Sequence, residues 1–164
     1  MQYAGLYTRI LAVTEPPFLD DLNKRIIDQL QRDGRMSYAA LAKQIGLSEA
    51  AARQRVQRML DTGVMQIVAV TDPLTLGFRR QVMVGIQVEG DMRTVAEKIA
   101  QIAEVDYVVI CAGSYDILAE LVCTDDEHLL ALLNEKIRSI DGVRSTETYV
   151  YLKLAKQTYA WGTP

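Results

Sequence analysis

Gly46-Leu47-Ser48 leaves one residue between a helix-stopping glycine and a helix-starting serine, and few folds accept so short a turn. Before it, Leu41, Ala42 and Ile45 recur at helical spacing; after it, Ala52, Val56, Met59 and Leu60 do the same. Gly46 supplies the residue that tolerates positive φ, and Ala42 is small where two helices would cross. Ser37 and Ser48 are placed to cap these two helices, and Gly63 to end the second of them. A further helix precedes them. Asp20 offers its N-cap, Asp21 complements the helix dipole, Leu22, Ile26, Ile27 and Leu30 form its apolar face, and Asp33-Gly34 stops it. Three helices with a very tight second turn predict a helix-turn-helix.

Such a motif leaves the last helix projecting from the body. Its outer residues are Ser48, Glu49, Ala50, Ala51, Arg53, Gln54 and Gln57, short near the start and hydrogen-bonding further on. That order suits a helix whose N-terminal half enters the major groove of double-stranded DNA. Arg53, Gln54 and Gln57 are the expected base readers, since arginine and glutamine match guanine and adenine edges. Ser37, Tyr38, Arg55 and Arg58 are placed for the phosphate backbone. Charge supports the reading modestly. Residues 1–80 hold 11 basic and 8 acidic side chains, whereas 81–164 hold 7 and 13. A basic half joined to an acidic half indicates two domains, one of which can meet a polyanion. An ordinary helical hairpin in a bundle is the alternative.

Past Gly63 the pattern changes. Gln66–Thr71 reads as a short strand closed by Asp72-Pro73, and Gly77–Arg80 as a linker. Strands are expected at 81–89, 105–112, 116–123 and 143–154, with helices at 91–102 and 125–140. The order β-α-β-β-α-β is the ferredoxin-like arrangement, an antiparallel sheet with helices on one face. Its other face should be polar. Yet Tyr107, Val109 and Cys111 stand opposite Val108, Ile110 and Ala112, and Tyr149 and Tyr151 opposite Val150 and Leu152. Both faces are apolar, so a second copy of the sheet is the simplest cover. The alternative is that the three-helix part folds back over it.

The same sequence narrows the chemistry. No apolar run among the 164 residues approaches the roughly 18 that a membrane span needs. Leu6–Val13 is short, carries Arg9 and lacks a basic lead-in, so it does not read as a signal peptide; residues 1–18 read as a tail ending in Pro16-Pro17. The expected address is the cytoplasm. Two cysteines, Cys111 and Cys123, make neither a disulfide framework nor a metal spacing, and both read as small buried hydrophobes. His128 is the single histidine, expected at the surface beside Asp125, Asp126 and Glu127. No nucleophile–base pair or phosphate-binding glycine loop is visible, so no catalytic residue, cofactor or metal is assigned. One loop stands out. Gly113 and Ser114 present backbone amides suited to a carboxylate, and Asp116 the opposite charge suited to an ammonium group. A plain turn is the alternative.

Together these residues resemble a family. Leu19-Asp20 through Gly34-Arg35, Leu41-Ala42 to Gly46-Leu47-Ser48, Arg55-Val56 with Arg58-Met59, and Gly63-Val64 are similar to the DNA-binding half of the Lrp/AsnC regulators. Ala112-Gly113-Ser114-Tyr115-Asp116, Gly142-Val143 and Thr148-Tyr149-Val150 are similar to the second half. Departures stand at Ala52 and Arg53, where bulkier apolar residues are common, and at Leu60, which replaces a usual acidic residue. The resemblance implies an α+β protein: an N-terminal winged helix-turn-helix (19–64), a strand and linker (65–80), and a ferredoxin-like effector-binding and oligomerisation domain (81–154). Tails would occupy 1–18 and 155–164. It implies homodimers that often assemble into octamers, and an amino-acid effector held by Ala112, Gly113, Ser114, Tyr115 and Asp116, with Thr148 and Tyr149 closing the pocket from a neighbouring subunit. The expected function is a sequence-specific transcriptional regulator and not an enzyme. The rivals are an architectural DNA-compacting protein without an effector and an enzyme on the ferredoxin-like half.

Overall fold

Each helix of the N-terminal part begins where a short oxygen-bearing side chain can satisfy an orphan amide. In the computed structural model, which describes residues 19–163, helix α1 spans Asp21–Arg32, α2 Tyr38–Ile45 and α3 Glu49–Asp61. Asp20 accepts from the Asn23 amide at 2.8 Å, Ser37 from Ala40 at 3.2 Å and Ser48 from Ala51 at 3.2 Å. All three expected caps are in place. Gly46 adopts φ 78°, and the amides of Gly46 and Leu47 both donate to the Ala42 carbonyl, at 2.9 and 3.0 Å. That left-handed turn ends α2, and α3 starts after only three residues, Gly46, Leu47 and Ser48. Ile26, Leu41, Ala52, Val56 and Met59 are fully buried between the helices. Each large apolar side chain contributes roughly 1.5–3 kcal/mol by leaving water.

Two compact units are present, 19–69 with 156–163, and 70–155. The C-terminal segment thus belongs with the helices: the Gly162 amide donates to Gln31 Oε1 at 3.1 Å and Thr163 Oγ1 to Asp28 Oδ1 at 3.0 Å. The expected N-terminal tail, with Leu6–Val13 and Pro16-Pro17, lies outside the described residues. The strand expected at Gln66–Thr71 is not formed. The segment has no ladder to any described residue of this chain, because a lone strand has no backbone partner; Ile67, Val68 and Val70 stay 48%, 53% and 60% exposed.

In the second unit, β1 (Arg80–Val88), α4 (Met92–Ile99), β2 (Val105–Ile110), β3 (Ile117–Cys123), α5 (Asp126–Ala131) and β4 (Val143–Val150) follow in order. The sheet has four strands in the order β2-β3-β1-β4, all antiparallel neighbours. Val82, Val84 and Ile86 of β1 face the helices beside Ile117, Ala119 and Leu121 of β3, and Ile99, Leu132 and Ile137 close that core. Four boundaries depart from the expected ones by more than one residue. Helix α4 ends at Ile99 rather than 102, because the amides of Gln101 and Ile102 turn back to the Lys98 and Ile99 carbonyls. The chain leaves β2 at Ile110, because the Cys111 amide donates to the Asp116 carbonyl and closes a loop. β4 stops at Val150, since β1 begins at Arg80 and leaves little backbone to pair with; only Tyr151 adds a bond, to the Gln81 carbonyl. The helix expected through 140 loosens into a π-turn at Leu132–Ile137, where Lys136 reaches Glu104 at 2.9 Å. No helix among the described residues is long and apolar enough to cross a membrane.

The crossing of α2 and α3 depends on a small residue at 42, which is 4% exposed. Ala42→Leu should overpack it at a cost of about 1–3 kcal/mol. Chemical denaturation followed by helix circular dichroism checks this. Unchanged stability would mean that the crossing has slack.

Candidate nucleic-acid interface and effector loop

The helix α3 surface is assembled around one arginine. Arg53 Nη2 lies 3.3 Å from Glu49 Oε1, one turn back on the same face, and its guanidinium sits over the Tyr38 ring at 4.7 Å from the centroid. Ser37, Tyr38, Arg35, Glu49 and Arg53 line an open cleft of about 380 Å³ at this place. Gln54, Arg58, Ala50 and Ser48 are exposed on α3. Gln57 is exposed as well and donates to Asp61 Oδ1 at 2.8 Å. Ser37 and Ser48 use their oxygens as acceptors for capping, which leaves each hydroxyl hydrogen to donate.

Arg55 is occupied differently. Its Nη1 lies 2.7 Å from Asp20 Oδ2 and 3.0 Å from Asn23 Oδ1, tying α3 to the start of α1. Asn23 is 4% exposed, a polar side chain on the apolar face of α1 that finds its partner in this arginine. The Arg55 guanidinium and the Asn23 amide hold the Asp20 carboxyl below its ordinary value. An arginine so used positions the helix first.

The expected effector residues divide between two places. Ala112, Gly113 and Ser114 are exposed in the β2–β3 loop, and Ser114 accepts from Gln87 Nε2 at 3.1 Å. Asp116 Oδ2 accepts the Val88 amide at 2.8 Å where β1 and β4 shift register, so this carboxylate also pins the end of β1. Tyr115 lies on the sheet face away from the helices. Its ring rests on Gly85, and its hydroxyl is 3.2 Å from that of Tyr149, with the rings edge-to-face at 6.4 Å. Thr148 pairs with Val84 and so faces the helices, whereas Tyr149 pairs with Met83 and faces the other way. The structure brings Tyr115 and Tyr149 together and leaves Thr148 on the opposite side of the sheet.

Gly85 was not among the expected site residues. Its signal was present, a glycine between Val84 and Ile86 in a strand, the mark of a close approach. That face also carries Met83, Tyr107, Val109 and Leu118 beside the polar Gln81, Gln87, Glu120, Ser145 and Glu147, so it is mixed rather than wholly apolar, and Tyr107 and Tyr149 are each 44% exposed. Burial and then the neighbouring Glu120 push the Tyr151 hydroxyl up to about 12. Cys123 is buried, its thiol pushed up to about 11 chiefly by that burial, while Cys111 is half-buried. His128 is at the surface and partly covered, with Nδ1 3.1 Å from Thr124 Oγ1.

A helix-turn-helix unit joined to an antiparallel α+β unit defines a DNA-binding transcriptional regulator. Residues 19–60 match the family model described as an AsnC-type helix-turn-helix domain, and residues 78–164 match one described as a C-terminal dimeric alpha+beta barrel domain. A helix-turn-helix-type transcriptional regulator of Pyrococcus furiosus is 36% identical over 144 residues, covering 87% of this chain and 97% of that protein. The regulatory protein AsnC of Escherichia coli is 30% identical, covering 82% and 91%. Its solved structure aligns with a TM-score of 0.74 over 84% of this chain and 95% of AsnC. The leucine response regulatory protein of Mycobacterium tuberculosis aligns at 0.77 with 27% identity, over 85% and 96%. The chain belongs to the AsnC/Lrp family of transcriptional regulators. It is therefore a regulator and not an enzyme.

Two expectations follow from this geometry. A Cβ on Gly85 would lie 2.7–2.9 Å from Tyr115 ring atoms, so Gly85→Ala must displace that ring. It should cost about 1–3 kcal/mol by overpacking, and far less in a Tyr115→Ala background. Equal costs in both backgrounds, measured as a double-mutant cycle, would contradict the contact. The second concerns acid. Because the folded Asp20 value is depressed, its pair with Arg55 stabilises fully above the ordinary 3.8 and is lost as pH falls through the lower folded value. The stability gap between wild type and Arg55→Ala should therefore be widest near neutral pH and narrow below about pH 4. A gap constant from pH 7 to pH 3 would show that the pair adds nothing.

Proposed function

We propose that this regulator binds double-stranded DNA sequence-specifically through α3 and answers to a small effector, an amino acid, held at the 112–116 loop. In this reading Arg53, Gln54 and Gln57 meet base edges, with Ser48, Glu49 and Ala50 at the groove entrance. Ser37, Tyr38 and Arg58 hold the backbone, and Arg55 sets the helix that carries them. Residues 19–64 act as the DNA-binding domain and 81–154 as the sensing and assembly domain, within the cytoplasm. The observation that carries the effector reading is the loop itself. Gly113 has open space where a side chain would stand, and the Tyr115–Tyr149 pair flanks the loop on the sheet face away from the helices. The name of the mycobacterial relative, a leucine response protein, supports an amino acid as the ligand class.

Self-association belongs to the same reading. The sheet face away from the helices, with Met83, Tyr107, Val109 and Tyr149, would meet its copy, as the description of the matching dimeric domain supports. The exposed Gln66–Thr71 segment would find its missing strand partner in that copy, spacing two recognition helices for half-sites about one helical turn apart. Dimers, and octamers built from them, are the expected species.

Fluorescence anisotropy of an operator duplex, titrated with protein in the presence of each free amino acid, tests the proposal. At least one amino acid should shift the affinity, and Gly113→Val should abolish the shift while leaving fold and DNA binding intact. If none shifts DNA affinity or melting temperature, the effector reading fails and an architectural protein remains. A monodisperse monomer at micromolar concentration in light scattering would sink the assembly.

A further inference from the structure

Glu49 and Arg53 are placed one helical turn apart at the start of α3, with their charged groups 3.3 Å from each other. The Tyr38 ring supports the guanidinium from below at 4.7 Å. An acidic side chain at the groove-facing start of a recognition helix is repelled by phosphates, so it weakens DNA binding unless a base group receives it. In the major groove two bases offer an amino donor that a carboxylate can meet, cytosine through N4 and adenine through N6; only at cytosine does the paired base, guanine, also present the O6 and N7 acceptors that an arginine fork needs. The adjacent donor and acceptors of a G·C pair are the complement of a carboxylate touching a guanidinium. Both side chains are more than half exposed, and neither is held back in the core.

We propose that Glu49 and Arg53 read one G·C base pair as a unit, Arg53 on the guanine and Glu49 on the cytosine, with Tyr38 as the platform that positions the guanidinium. The proposal rests on α3 entering the major groove. It gives Tyr38 a role distinct from phosphate contact: ring stacking restricts Arg53 before DNA arrives, so less side-chain freedom is lost on binding. It also predicts a feature of the operator, a G·C pair in each half-site beneath the first turn of α3.

The test uses the full chain. Duplexes selected from a randomised pool supply the operator, and dissociation constants are then measured for every single base-pair change. Wild type should lose roughly 5- to 150-fold at one G·C pair per half-site. Arg53→Ala and Glu49→Ala should each flatten the profile at that pair and leave other positions unchanged. Tyr38→Leu should weaken discrimination there, and Tyr38→Phe, which keeps the ring, should retain it. If Glu49→Ala strengthens binding to all sequences alike, the carboxylate is a repulsive charge and the paired reading is overturned. If Tyr38→Leu and Tyr38→Phe give wild-type profiles, the platform is overturned. Gln54→Ala separates the two levels. A profile altered by Gln54→Ala but by neither Arg53→Ala nor Glu49→Ala refutes this inference alone. No selected sequence, or no change in any of these variants, refutes base reading by α3 and the inference with it.

Discussion

The left-handed turn at Gly46 sets the direction in which α3 leaves the body, and every side chain on its outer face inherits that direction. Gly46 at φ 78° lets the amides of residues 46 and 47 converge on one carbonyl, that of Ala42, so the chain reverses within a single turn. A residue with a Cβ would cost roughly 1–2 kcal/mol in that conformation. Ser48 then starts α3 at once by accepting from Ala51. Ala52, Val56 and Met59 have no freedom to rotate out of the core, so Glu49 and Arg53 have none to rotate in. Arg55 locks the same helix from the other side by spanning to Asp20 and Asn23. The exposed ion pair of α3 is worth little as stability, about 0–1 kcal/mol. Its consequence is geometric.

The sheet unit relies on a comparable absence of a side chain. Gly85 opens a seat in the middle of β1, and Tyr115 fills it from the β2–β3 loop. Because the Asp116 carboxylate takes the Val88 amide and Ser114 takes Gln87, the loop is sewn to β1 on both sides of that ring. A loop of small and polar residues would otherwise be free to move, with little buried apolar surface to hold it. Here its base is anchored and its tip, Ala112 to Ser114, is left exposed.

What could be read before folding was local. Caps at Asp20, Ser37 and Ser48, the Gly46 turn and the alternation of Val82, Val84 and Ile86 each follow from a few adjacent residues, and each stands where expected. What could not be read needed a second element. Arg55 looks like any exposed helical arginine until Asp20 and Asn23 of α1 arrive beside it. That Thr148 and Tyr149 face opposite ways follows from the period of two, but which of them faces the helices is set by pairing with Val84 and Met83 of β1. Gln66–Thr71 has the composition of a strand, but a ladder requires a partner, which periodicity alone does not supply. The π-turn at Leu132–Ile137 likewise has no mark in the apolar spacing.

These placements constrain any link between a ligand and DNA. Tyr115 and Tyr149 lie on the sheet face away from the helices, next to Met83 and the Gly85 seat, and the loop that carries Tyr115 is bonded to the strand beneath it. A ligand at the loop tip shifts self-association only if it binds one assembly state more tightly than another; equal affinity shifts nothing. Motion of Ser114 or Asp116 must stretch bonds to β1, at 3.1 and 2.8 Å, before it can be absorbed as slack. In the proposed reading, strain introduced there would be passed to the face that carries Tyr115 and Tyr149, where the proposed second copy would pack. Coupling of this kind asks for no conformational change within α3. The Glu49–Arg53 pair can remain as built while the number and spacing of recognition helices on the duplex change.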